Sequence, residues 1–192
     1  MRAFLFAIAL LAAPAAFAQE TYRIDPAHTQ VAFSIDRFGF NHVLGRFEQV
    51  EGALTLDVAA PANSSVHAVI QTASVSAGDD TRNEHLRGER WLNVAQYPTM
   101  EFRSTAVRVI DETHAEVTGD LTLLGQTHPV TLQVTLNRMG ELPNNRRQGA
   151  GFSATGVISR TQFGLAAAPQ LIGDEVRITI EALAEQEAPP AE

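Results

Sequence analysis

Six histidines, two adjacent aspartates and two closely spaced serines are the side chains here whose types suit catalysis or metal binding. Zinc sites draw ligands from close sequence pairs, His-x3-His on a helix or Cys-x2-Cys. His28, His42, His67, His85, His114 and His128 lie at least fourteen positions apart, and the chain has no Cys. They therefore read as surface or hydrogen-bonded histidines, with no metal site expected. A hydrolase would need a nucleophile beside a base, yet no Gly-x-Ser-x-Gly elbow occurs, and Ser74 and Ser76 sit where strand serines are ordinary. There is no Gly-rich phosphate loop either. Asp79 and Asp80 stand just before Thr81, where a helix start explains acidic residues without catalysis. No catalytic residue, metal ligand or cofactor is nominated, and the chain does not read as an enzyme.

The positive signal is apolar. Phe33, Phe38, Phe40, Phe47, Trp91, Met100, Phe102, Phe152 and Phe163 are distributed along the chain. Such residues can fill a core or line a cavity for a long apolar ligand. Which of the two they do depends on the elements that carry them.

Those elements are mainly strands. Apolar residues recur at every second position in eight stretches: Val31–Ile35, Leu54–Val58, Val66–Ile70, Met100–Val109, Val117–Leu123, Val130–Leu136, Phe152–Ile158 and Val176–Ile180. In the fourth stretch Val107 and Val109 fall on a shifted phase from Met100 and Phe102. Gly52 suggests a bulge or bend. The series Phe152, Ala154, Gly156, Ile158 mixes large and small side chains, as the interior of a small barrel requires. Short connections imply antiparallel pairing. A sandwich without a large cavity and a closed barrel able to hold one ligand both satisfy this periodicity.

Alternation stops between Ser76 and Pro98. Thr81 and Glu84 have the spacing of a capping box, Gly88 is placed to end a helical turn, and Trp91, Leu92 and Val94 form a second apolar patch. Two short helical pieces across one end of the sheet are expected. Arg138 to Ala150 reads as a long polar loop, and Glu185 to Glu192, with Pro189-Pro190, as a disordered tail.

Composition narrows the setting. Met1-Arg2, an apolar run from Ala3 to Ala13 and the ending Ala16-Phe17-Ala18 have the form of a secretory signal peptide, residues 1–18, cleaved before Gln19. Residues 19–184 then form one domain, and a periplasmic location is expected. The formal net charge of −8 and the lack of a basic run argue against nucleic acid as a partner.

Three sets of segments resemble the YceI-like family, secreted bacterial proteins of extended lipocalin-like fold that bind polyisoprenoids. They are Tyr22 to Phe33 continuing to Gly45-Arg46-Phe47 and Gly52; Thr81 to Leu86 with Tyr97 to Phe102; and Gly119 to Thr127 with Arg160 to Gly164. The resemblance implies an all-β fold, an eight-stranded antiparallel lipocalin-like barrel with a short helical insert at one mouth. It also implies a carrier of an isoprenoid lipid or quinone, for transport, storage or sequestration, in transient contact with inner-membrane proteins and pairing as a homodimer. Burial of apolar surface at about 25 cal/mol per Å² would supply the affinity. The expected wall is Val31, Phe33, Ile35, Leu54, Leu56, Met100, Phe102, Leu121, Leu132, Val134, Phe152 and Ile158, capped by Leu86, Trp91 and Leu92. Arg37, His42 and Arg160 are candidates for the head group, although buried structural pairing is the better expectation for Arg160. Two departures stand out: Arg37 where many members carry His, and Gln162 where an acidic residue is common.

Overall fold

The computed structural model describes residues 19–187. Residues 1–18, read as a leader, and 188–192 of the expected tail lie outside the described residues. The strands are β1 (Glu20–Ile24), β2 (Gln30–Arg37), β3 (Asn41–Phe47), β4 (Val50–Leu56), β5 (Ser65–Gln71), β6 (Val75–Ser76), β7 (Thr99–Val109), β8 (His114–Leu123), β9 (Gln126–Glu141), β10 (Gln148–Ser159) and β11 (Ile172–Gln186). The one α-helix among the described residues, α1 (Asp80–Arg87), joins β6 to β7, and three single 3-10 turns lie at Pro61–Asn63, Thr72–Ser74 and Arg160–Phe163.

Every neighbouring pair is antiparallel, and the sheet closes where β11 meets β1. Closure rules out the sandwich and leaves eight staves, because three of them are broken strands. β1 and β2 both lie along β11; β3 and β4 form the next stave, and β5 with β6 the third. Periodicity therefore predicts the number of staves correctly while missing the segments β1, β3 and β6.

The break between β1 and β2 is a corner built by Asp25-Pro26-Ala27-His28-Thr29. The Asp25 carboxylate accepts the Ala27 N–H at 2.8 Å and bonds the His28 ring at 2.6 Å. Buried Thr29 exchanges hydrogen bonds with the backbone of Leu183 on β11. Backbone polar groups that the corner removes from the ladder are thus satisfied locally.

A register shift in β7 between Ser104 and Ala106 explains the change of phase seen in the sequence, since one extra residue returns Val107 and Val109 to the interior. Gly52 is required where β4 crosses β5: its φ is +149°, and a Cβ there would lie 2.1 Å from the His67 carbonyl oxygen. The segment Arg138 to Ala150 is not a long loop. β9 runs to Glu141 and β10 begins at Gln148, leaving a short turn in which Leu142 donates to the Arg147 carbonyl at 2.7 Å. Glu185 and Gln186, read as the start of a tail, are the last residues of β11, and Gln186 pairs with Tyr22.

The insert also differs from expectation. The cap is Asp79, whose carboxylate accepts the Arg82 N–H at 2.8 Å, and Gly88 ends the helix. An acidic side chain two residues before Thr81 competes better for the free helical N–H groups. Residues 88–97 form turns rather than a second helix. α1 is fastened to β6: the Asn83 side chain accepts the Ala77 N–H at 2.7 Å, and Arg87 donates to the Ala73 and Val75 carbonyls at 2.8 and 2.9 Å. Thr72, fully buried, donates through its hydroxyl to the Tyr97 carbonyl at 2.7 Å.

Candidate ligand cavity

A cavity of about 940 Å³ runs along the barrel. Its wall is the inward-facing half of each alternating strand, almost wholly aliphatic and aromatic. The near rim carries the β2–β3 hairpin, α1 and the Arg160–Leu171 connection; the far rim carries the β4–β5 and β7–β8 connections.

An eight-stranded barrel can fill its own interior with side chains, so the hollow needs a reason. Part of it is where large residues lie. Phe33 faces Gly45 across the β2–β3 ladder, and a Cβ at Gly45 would meet the Phe33 ring at 2.3 Å. A Cβ at Gly119 would meet the Phe102 ring at 2.5 Å, and one at Gly156 the Leu132 side chain at 2.7 Å. Inward-facing glycines let neighbouring rings and branched chains lie flat against the wall, so that they do not reach across the bore. The mixed series in β10 is one case of this.

All fifteen residues nominated for wall and cap line the cavity: Val31, Phe33 and Ile35 from β2; Leu54 and Leu56 from β4; Met100 and Phe102 from β7; Leu121 from β8; Leu132 and Val134 from β9; Phe152 and Ile158 from β10; and Leu86, Trp91 and Leu92 over the near end. Several wall residues were not nominated. Val176, Ile178 and Ile180 lie on a strand whose alternation is plain in the sequence. Val43 was obscured because its inward series, Asn41, Val43, Gly45, Phe47, is polar or small at two of four positions.

The three polar candidates separate. Arg37 lines the near rim, its guanidinium 4.1 Å from the centre of the Phe38 ring. His42 does not line the cavity: it pairs with Asp36 on the outer face of the hairpin, one position out of phase with Val43. Arg160 lines the cavity but is 2% exposed, and each of its three guanidinium nitrogens donates to a backbone carbonyl. It donates to the carbonyls of Gly173, Ala167 and Ile172 at 2.8–2.9 Å and also to that of Leu165. Burial lowers its pKa, opposed by the charge of Asp174. It ties the turn Arg160–Phe163 to the start of β11, while Gln162 is exposed and away from the cavity.

Among the described residues no cluster of three or more potential metal ligands forms. His85 is on the near rim and His114 on the far rim, so the histidines that reach the cavity stand at opposite ends.

Comparison with known proteins agrees with this architecture. The family profile described as YceI-like domain matches residues 22–184. A UPF0312 protein of Pseudomonas putida strain W619 is 38% identical over 159 residues, 82% of each chain. The crystal structure of Burkholderia cenocepacia BcnA superposes with a TM-score of 0.75 at 25% identity, covering 83% of this chain and 98% of the other. A polyisoprenoid binding domain from Saccharophagus degradans has the same fold, with a TM-score of 0.64 at 16% identity over 88% of this chain and all of that one.

Proposed function

Since the chain belongs to the YceI-like family, we propose that it is a lipid-binding protein that holds a polyisoprenoid or isoprenoid-quinone-type ligand inside the barrel, for transport, storage or sequestration. The observation that carries this reading is the continuous apolar bore with charged side chains confined to its rims. Its volume lies in the range of small-molecule sites. The polyisoprenoid-binding description of the Saccharophagus degradans domain supports the same ligand class.

In this reading the protein acts by solvation. An isoprenoid chain in water exposes apolar surface whose burial gains about 25 cal/mol per Å². The wall offers that burial with few hydrogen bonds to satisfy, and no covalent step is involved. Export through cleavage before Gln19 would place the protein in the periplasm, between the membranes that hold such lipids. There it would exchange ligand with membrane-bound partners.

The test is organic extraction of natively exported protein followed by mass spectrometry. An isoprenoid recovered at near-stoichiometric amount is the expected result. Absence of any apolar ligand, together with failure of the delipidated protein to take up a fluorescent prenyl probe, would refute the proposal. The intact mass of the exported chain tests cleavage at Ala18.

A further inference from the structure

Charges that line the cavity are segregated by end. Arg37, Arg82 and Arg160 are on the near rim, whereas the acidic lining residues Asp57, Asp111 and Glu112 are all on the far rim; one lining histidine stands at each end, His85 at the near rim and His114, against Asp111, at the far one. The cations are not equally available. Arg160 is committed to backbone carbonyls, and Arg82 donates to the Ala77 carbonyl. Arg37 has no ion-pair partner among the described residues.

Nearby acids on the near rim are turned away or occupied. Asp36, next in sequence, is on the outer face, where its carboxylate accepts the Gly39 N–H at 3.0 Å. Asp174 accepts the Ser159 hydroxyl at 2.6 Å and the Thr161 N–H at 3.0 Å. Arg37 meanwhile pairs across the ladder with Ile172, whose carbonyl accepts from Arg160. The free guanidinium and the engaged one therefore flank a single residue. At the far rim, Asp57 and Asp111 accept turn N–H groups at 2.8–2.9 Å and are fixed there as acceptors.

Resting on the lipid-binding reading, we infer that the cavity takes an isoprenoid with an acidic end group, an oxyanion such as phosphate or carboxylate, held at the near rim by Arg37. A guanidinium presents a planar fork of donors that matches an oxyanion in two-point contact. The Phe38 ring beneath it restricts the plane of that fork. The opposite orientation would bring the oxyanion against Asp57, Asp111 and Glu112, so the ends of the bore are not interchangeable. Arg37 is solvent-accessible, and salt will weaken the contact without abolishing it.

Delipidated protein would be titrated with geranylgeranyl phosphate, geranylgeranoic acid and geranylgeraniol, three probes with the same chain, by displacement of a fluorescent apolar dye. Both acids are expected to bind about tenfold more tightly than the alcohol at low salt, the scale of a charge-assisted hydrogen bond. In R37Q this ratio should fall towards one, and in R37K it should be partly kept. Preference for the phosphate alone would narrow the end group to phosphate; preference for the carboxylate alone, to carboxylate. Equal affinity for all three, or a ratio unchanged in R37Q, would overturn the inference while leaving lipid binding intact. Failure of all three to bind would overturn both.

Discussion

Arg160 and Arg37 show how one residue type takes two roles on either side of a single residue, Ile172. Arg160 is buried with its donors on carbonyls, so replacing it with Met should destabilise the fold by about 3 kcal/mol or more, because several buried acceptors lose their partner. A urea titration reads this directly. Tyr22 gives a prediction at alkaline pH. Burial, then the hydrogen bond and charge of Glu20, push its pKa up to about 12 from the usual 10. A raised folded-state value means that its contribution is fully present below about 10 and lost as pH rises to about 12. The denaturation midpoint should fall across that window, and Tyr22→Phe should flatten the fall while costing about 1 kcal/mol at neutral pH. Individual wall residues were readable because burial follows a period of two. The place of His42 was not, since a hairpin with polar inward positions gives no sign of its phase, and neither was the internal use of Arg160, which depends on carbonyls brought together only by the fold.

Within elements, glycine decides both where strands bend and how wide the interior is. Gly52→Ala should destabilise the protein by about 2–3 kcal/mol, because the added carbon meets backbone rather than a movable side chain. Gly45→Ala is a different experiment. The obstructing atoms are the Phe33 ring, which can swing, so the expected outcome is a modest loss of stability with a ring turned into the bore and weaker uptake of a prenyl probe. A variant that kept full probe affinity would contradict the flat-ring account of the hollow. Strand positions were legible from alternation alone, and even the β7 bulge left a trace as a phase shift. The helix start was misplaced by two residues because Asp79 and Thr81 are both good caps, and only the observed bond to the Arg82 N–H separates them. The β9–β10 hairpin was hidden by Pro143 and Asn144-Asn145, which read as loop although the flanking strands continue almost to them.

At the scale of the molecule, closure of the sheet is what no local pattern contained. Alternating strands describe the inner face of a sandwich or of a barrel equally well, and only the pairing of β11 with β1 separates them. The family resemblance supplied that step at the sequence level through an ordered set of motifs, several of which prove structural: the Asp25–Thr29 corner, the Asn83 fastening and the Arg160 turn. The bore they frame reaches exposed residues at both rims, Arg37 at one and Val58 at the other. A blind socket measures its guest and rejects whatever is too long; a sleeve does not. Affinity across a series of prenols should climb with each added unit until the wall is covered and then stay level, the surplus emerging into solvent. A sharp fall beyond one length would show a socket. With the plateau, the protein would sort its guests by girth and by terminal group, and a single copy could serve a whole family of chain lengths.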